Sequence, residues 1–320
     1  MSPLVSVVIP TYAHADYVLE AVESVLRQGY APIEVIVVND GSPDDTEARL
    51  APLVAAGRIR YVRQANGGVA AARNHGASLA RGEYLAFLDD DDLWHPDAVT
   101  RLAAALERDS SLAMVYGGRV DVRVGTAVTW TDAPAGPEAA TAVGRLAFLV
   151  QNRIASPGQV LLRRAAFDAV GGFDRTIWGA DDWDLWLRLL ADHRGARLDH
   201  PVLAYRLHAA NNSWDTARMW REARRVLDRH VAAEAARDRP ILRCRGVTWL
   251  RDYLRIQGGR QLRDAAREGA GARLAAAATI LVRMWGAEMR ARLALKLHLA
   301  RAGRWGLPPG HPLKSPIGEP

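Results

Sequence analysis

Cysteine is nearly missing from this chain of 320 residues: Cys244 is the only one. No internal disulfide framework can form, and a reducing cytoplasm suits such a chain. Lysine is almost as scarce, since forty of the 42 basic residues are arginine, a bias read as genomic base composition rather than function. The opening Met1-Ser2-Pro3-Leu4-Val5 lacks a basic segment followed by a long apolar run, so no signal peptide is expected. Long uncharged runs are missing too. In the arginine-rich C-terminal part the longest, Leu274 to Val282, has nine residues, far short of a bilayer span. No zinc-type spacing, recognition-helix signature or RNP-type aromatic motif supports nucleic-acid binding. No GxGxxG follows the first apolar strand, so dinucleotide oxidoreductases fit poorly.

What is there is ordinary globular composition, 49% hydrophobic and 24% charged, with length for one large α/β domain plus an appendage or for two domains. The net charge of +6 hides an asymmetry. From Asp215 onward 22 basic residues face 10 acidic ones, a net of +12, which leaves residues 1–214 at −6.

The first third alternates strand and helix signals. Val5 to Ile9 is a β-branched run stopped by Pro10, and Ala15 to Gln28 places Val18, Leu19, Val22, Val25 and Leu26 on one helical face. Ile33 to Val38, Ile59 to Val62 and Tyr84 to Leu88 read as further strands, with helices between them, one spanning about Gly68 to Ala80. Such alternation predicts right-handed βαβ crossovers and a largely parallel sheet whose ligands bind beyond the strand C-termini. Polar clusters stand at three of those ends: Pro10-Thr11-Tyr12, Asn39-Asp40-Gly41-Ser42 and Asp89-Asp90-Asp91-Asp92. The middle third reads as shorter strands (Met114 to Tyr116, Val120 to Val124, Val160 to Leu162), a Pro/Ala/Gly-rich loop at Thr131 to Ala140 expected to move, and a helix over Asp182 to Ala191. After Asp215 the pattern is helical up to a frayed Pro/Gly-rich tail at 307–320.

Four consecutive aspartates repel one another unless a cation is present, and a hard divalent ion such as Mg²⁺ or Mn²⁺ takes carboxylate and phosphate oxygens. Strand-like alternation puts Asp89 and Asp91 on one side. The alternative is a solvated acidic turn capping the helix near Pro96. Asp40 can accept hydrogen bonds from a nucleotide or simply close a turn, and Arg73 can reach a phosphate or stay solvated. Asp181-Asp182 opens the helix of Leu185, Trp186 and Leu189, where carboxylates gain from the helix dipole even without a catalytic task.

The runs VSVVIPTY, VVNDGSPDD, NGGVAAARNHG, GEYLAFLDDDDLWHPD, GGFD and GADDWDLWLRL, in this order, resemble the family 2 glycosyltransferases over residues 4 to about 210. The resemblance implies the GT-A fold, an α/β Rossmann-like architecture with a mostly parallel central sheet and flanking helices, and inverting transfer from a nucleotide sugar. It implies that Pro10, Thr11 and Tyr12 line the nucleotide pocket, that Asp40 contacts the base, and that Arg73, Asp89 and Asp90 lie along the nucleotide sugar. Asp91, with Asp89 and His208 of the Tyr205-Arg206-Leu207-His208 run, would hold Mn²⁺ or Mg²⁺. The family's usual Glu-Asp pair is Asp181-Asp182 here, which makes Asp182 the favoured general base and Asp181 the second. Trp178 and Gln159, the latter in Ser156-Pro157-Gly158-Gln159, are the candidates for the acceptor side.

The expected organisation is a catalytic domain over 1–213, a basic helical extension over 214–306 and a tail over 307–320. The extension mixes arginine with Trp and Leu. It can rest on anionic lipid where a lipid-linked acceptor is found, pack as a bundle on the catalytic domain, or form a homo-oligomer interface. The expected substrates are a nucleotide-sugar donor, UDP-linked, and a glycan or lipid-linked acceptor of the bacterial envelope. The expected location is cytoplasmic, including the inner membrane face. A sugar-nucleotide nucleotidyltransferase and a non-catalytic sugar- or nucleotide-binding scaffold at a membrane are the competing readings. The first would want a Gly-rich basic loop after strand one, and the second has no need of Asp91 and Asp182.

Overall fold

The computed structural model describes residues 2–130, 139–208, 215–267 and 271–301. Most of the loop expected at Thr131 to Ala140 and the tail at 307–320 lie outside the described residues. The chain forms two compact units, one of Met1–Val143, Ile154–Thr176 and Asp184–Ala209, the other of Gly144–Arg153, Ile177–Trp183 and Ala210–Pro320.

The first unit is built on one sheet. Its strands are β1 (Val5–Thr11), β2 (Ile33–Asn39), β3 (Arg60–Arg63), β4 (Tyr84–Phe87), β5 (Leu93–Trp94), β6 (Leu112–Arg123), β7 (Thr141–Val143), β8 (Val160–Arg163) and β9 (Arg194–Leu207). They lie in the order β3-β2-β1-β4-β8-β6-β9-β5, with β7 also on β9. The block β3-β2-β1-β4 is parallel, as expected for strands joined by the helices α1 (Ala15–Leu26), α2 (Thr46–Ala55) and α3 (Val69–Leu79). Beyond it β8 runs antiparallel to both β4 and β6, β6 and β9 are parallel, and β5 and β7 are antiparallel to β9. Every residue of β1 is buried, which matches a strand covered on both faces.

Helices hold the strand ends in place. α1 buries Ala15, Val18, Ala21, Val22 and Val25, the stripe visible in the sequence. α3 sits close on the sheet because Gly76 carries no side chain. A Cβ there would lie 2.3 Å from Val8 Cγ1 and 3.1 Å from Val38 Cγ2. After β4 the chain turns through the four aspartates into β5 and then α4 (Ala98–Arg108), which buries Val99, Leu102 and Leu106. Trp94 is 3% exposed and donates from Nε1 to Gly158 O at 2.6 Å, tying β5 to the loop before β8.

The second unit is helical: α5 (Arg145–Val150), the first turn of α7 (Asp181–Asp192), α8 (Thr216–Ala232), α9 (Arg239–Arg267) and α10 (Gly271–Arg301), α6 (Arg164–Ala169) belonging to the first unit. Asp215 caps α8, its side chain accepting from Arg218 N. Met219, Trp220, Ala223, Val226, Leu227 and Val231 are the buried face of that helix. Trp183 Nε1 donates to Phe148 O at 2.8 Å, and Glu288, 2% exposed, is held by Arg251 and Arg292. No helix among the described residues is long and apolar enough to cross a membrane.

Candidate active site

The three polar strand ends are all in the first unit. At the end of β1, Pro10 and Thr11 are buried and Tyr12 is 47% exposed. At the end of β2, Asn39 Oδ1 accepts from Ser42 N, and Ser42 Oγ accepts from Ala13 N, joining the two ends. Asp40 is 4% exposed, and its carboxylate is occupied by protein donors. Oδ1 accepts from Gln64 Nε2 at 2.7 Å and Gly67 N at 2.9 Å, and Oδ2 accepts from Gly68 N at 2.8 Å. Asp40 thus clips the loop that leads into α3. Gly41 and Gly68 have φ of +80° and +86°, backbone that glycine adopts without strain.

The aspartates after β4 alternate in environment. Asp89 and Asp91 are partly exposed, while Asp90 and Asp92 are 6% and 0% exposed. The buried pair behaves differently from free carboxylates. Burial pushes the Asp92 carboxyl well up, and it is held by Ser156 Oγ at 2.9 Å and Arg206 N at 3.1 Å. Burial also raises Asp90, opposed by its 2.8 Å bond to His14 Nδ1. That bond pushes His14 up to about 9 against the effect of its own desolvation, so the imidazole is a cation at neutral pH.

The outward pair faces different partners. Asp89 Oδ1 accepts from Arg73 at 2.6 Å and Oδ2 from Ser156 Oγ at 3.2 Å. Arg73, 5% exposed, also lies over the Phe173 ring at 5.2 Å. Asp91 Oδ2 lies 2.8 Å from His208 Nε2, a contact across 117 residues. His14 and Tyr17 stand against the His208 ring at 5.7 and 5.2 Å between centroids. A partly exposed carboxylate beside an imidazole nitrogen is a donor set that fits Mn²⁺ or Mg²⁺ completed by phosphate oxygens.

Gln159 is placed elsewhere in its chemistry. It is 3% exposed, with Oε1 accepting from Ala155 N and Ser156 N and Nε2 donating to Gly117 O, so its amide braces the loop before β8. In the second unit, Asp181 is 2% exposed and Asp182 Oδ1 accepts from Trp183 N at 2.6 Å at the start of α7. Trp178 is half-buried beneath the Arg218 guanidinium, 4.0 Å from its centroid.

His14 and Tyr17 escaped the sequence reading, and Arg206 entered it only as part of the run that ends at His208. His14 follows the Pro10-Thr11-Tyr12 cluster by two residues, so proximity to that motif was the signal available. Ser156 was noticed only as a neighbour of Gln159; its bridge between Asp89 and Asp92 depends on tertiary structure.

A family model for glycosyl transferase family 2 matches residues 6–171. An uncharacterized glycosyltransferase of Rickettsia felis is 34% identical over 194 residues, covering 59% of this chain and 31% of that protein. The chain therefore spans about a third of that relative's length. Two solved structures share the fold. Staphylococcus aureus TarS 1–349 in complex with UDP-GlcNAc superposes with a TM-score of 0.56 at 18% identity, over 95% of this chain and 93% of that one. The mannosyltransferase PcManGT of Pyrobaculum calidifontis, in complex with GDP-Man and Mn²⁺, gives 0.56 at 21% identity, over 93% and 87%. Both likenesses are of fold, the GT-A arrangement of sheet and helices. With more than half of its length matched by the family model, the chain belongs to glycosyl transferase family 2.

Proposed function

We propose that the protein is a metal-dependent, inverting glycosyltransferase that moves a sugar from a UDP-linked donor to a hydroxyl of a glycan or lipid-linked acceptor. The observation that carries this reading is the pair of outward carboxylates, Asp89 on Arg73 and Asp91 on His208, at the C-terminal end of β4. Asp91 and His208, with Asp89 beside them, are the proposed ligands of the divalent cation. When bound, that ion supplies positive charge for the diphosphate leaving group. The chain adds its own: the protonated His14 imidazole and the Arg73 guanidinium flank the aspartate turn. Pro10, Thr11, Tyr12 and the loop clipped by Asp40 are the proposed nucleotide wall. A hydroxyl attacking the anomeric carbon must lose its proton, and Asp182 is the proposed base, with Asp181 second. One base and in-line displacement give inversion, whereas retention through a covalent intermediate needs a second carboxylate as nucleophile.

The catalytic part is proposed to span 1–213 and the basic helical extension 214–306. On α10, Val282, Trp285, Met289, Leu293 and Leu297 are all exposed and fall within an arc of about 120°. Arg283 and Arg290 border one side of that arc and Arg292 the other, and the exposed Lys296 lies within it. An apolar stripe with a cationic margin is complementary to an anionic lipid surface on the cytoplasmic side, which is where a lipid-linked acceptor would be met.

A screen of nucleotide sugars tests the donor reading. UDP with Mn²⁺ at a hundred times its dissociation constant adds ~2.7 kcal/mol of stability, and chelator removes it. Absence of a thermal shift with every nucleoside diphosphate overturns the donor site. Asp182→Asn keeps nucleotide binding and loses transfer; full activity in that variant removes Asp182 as base. Sedimentation with phosphatidylglycerol vesicles tests the membrane contact, and salt-insensitive absence of binding rejects it in favour of a packed or self-associating helix.

A further inference from the structure

A second group of metal-binding side chains stands apart from the aspartate turn. His95, which follows β5, Asp97, which precedes α4, and His200, midway along β9, bring their ligand atoms within 4.8 Å of one another. Asp97 Oδ1 is the meeting point: it touches His95 Nδ1 and lies 3.2 Å from His200 Nε2. The other carboxylate oxygen accepts from Arg101 Nε, which orients the group and leaves Oδ1 turned to the two rings. His95 Nδ1 faces both Asp97 Oδ1 and Asp97 N, the latter at 3.3 Å, so this ring nitrogen and the carboxylate meet at one point. The rings cross at 84° with centroids 4.6 Å apart, so both can address one point, and Trp130 covers the His95 ring at 4.7 Å.

We propose that His95, Asp97 and His200 form a binding site for Zn²⁺, separate from the donor-site cation. Two imidazole nitrogens and one carboxylate oxygen are a borderline-soft set that favours zinc over magnesium or manganese. Ligands 2.0–2.1 Å from a tetrahedral ion are about 3.3 Å apart, close to the 3.2 Å already found between Asp97 and His200. The fourth position is left to water. The ion pins the turn between β5 and α4 to the point where β9 bends at Pro201. That makes it a structural clamp on the segment immediately following the aspartates.

Cobalt substitution tests the site in the full chain after chelator treatment, in excess Mg²⁺. Co²⁺ titration of the wild type should give one equivalent of a visible d–d band that Zn²⁺ displaces. The band should persist in Asp91→Asn and disappear in His95→Gln and His200→Gln. X-ray absorption of the zinc-loaded wild type, which needs no variant, should show two imidazoles in the outer shells. Absence of stoichiometric cobalt uptake by the wild type overturns the assignment. So does uptake that survives both histidine substitutions, uptake abolished by Asp91→Asn, or a zinc spectrum without imidazole scattering.

Discussion

Replacing Asp40 by alanine removes three hydrogen bonds to an ionised acceptor, from Gln64 Nε2, Gly67 N and Gly68 N. Bonds to a charged partner are worth about 1.5–3 kcal/mol each when both ends are buried. Here the carboxylate is buried but both glycines are exposed, so their amides turn to water once released. Water lowers the loss to about 0.5–1 kcal/mol per bond, and the three together to about 1.5–3 kcal/mol. At ~2–4 °C per kcal/mol for a unit of this size, Asp40→Ala should melt about 3–12 °C below the parent. Asp40→Asn keeps one acceptor oxygen and should lose roughly half as much. Differential scanning fluorimetry reads the shift, and amide exchange at Gly67 and Gly68 should accelerate in the same variants. Isothermal titration with UDP separates the two roles of the residue. An alanine variant that melts within about 1 °C of the parent, with unchanged exchange and lost UDP binding, refutes the clip and makes Asp40 a ligand contact only.

Gly76→Ala should cost about 1–3 kcal/mol, because its methyl would fall 2.3 Å from Val8 Cγ1; a melting curve unchanged from the parent contradicts the packing of α3 on β1. Trp94→Phe strips the donor from the buried Gly158 carbonyl and should cost about 1–3 kcal/mol in denaturant titration; a midpoint unchanged from the parent contradicts the bond. His14 has a folded pKa raised to about 9 by its bond to Asp90, above the unfolded value of 6.5. Its contribution is therefore complete below pH 6.5 and lost as pH rises through 9. The parent should lose stability between pH 7 and 9.5 more steeply than His14→Asn, and parallel curves count against the pair.

The alternating first third was legible because its strands are continuous apolar runs and its helices keep one stripe, as in Val18, Val22 and Val25. The outward placement of Asp89 and Asp91 was legible from simple alternation. Long β6 and β9 were not: β6 was read as two short strands, and no strand was assigned over β9. The reason is local chemistry: Gly117-Gly118 and Pro201 look like breaks. In the structure they face one another across a pair of register shifts, and a Cβ on Gly117 would meet Val202 Cγ1 at 2.5 Å. Proline without a donor and glycine without a side chain are the residues that such a bulge tolerates. His14 was invisible for another reason. Its partner lies 76 positions away, and no local pattern encodes that distance. The same holds for Gly144–Arg153 and Ile177–Trp183, which join the helical unit although their neighbours in sequence belong to the sheet.

Strand β9 pairs with β5 antiparallel, Leu93 opposite Ala204 and Trp94 opposite Leu203. That ladder puts His200 and Asp97 toward one end and His208 and Asp91 toward the other. Along β9 the eight steps from His200 to His208 span on the order of 25 Å. Over such a gap, more than two Debye lengths of about 8 Å at physiological salt, the field of a divalent ion is largely screened wherever solvent lies between. The separation is also several times the roughly 4 Å at which paired metals share a substrate oxygen. The two histidine centres can therefore communicate only as the two ends of a beam do, through tilt or slippage of the strand that carries both.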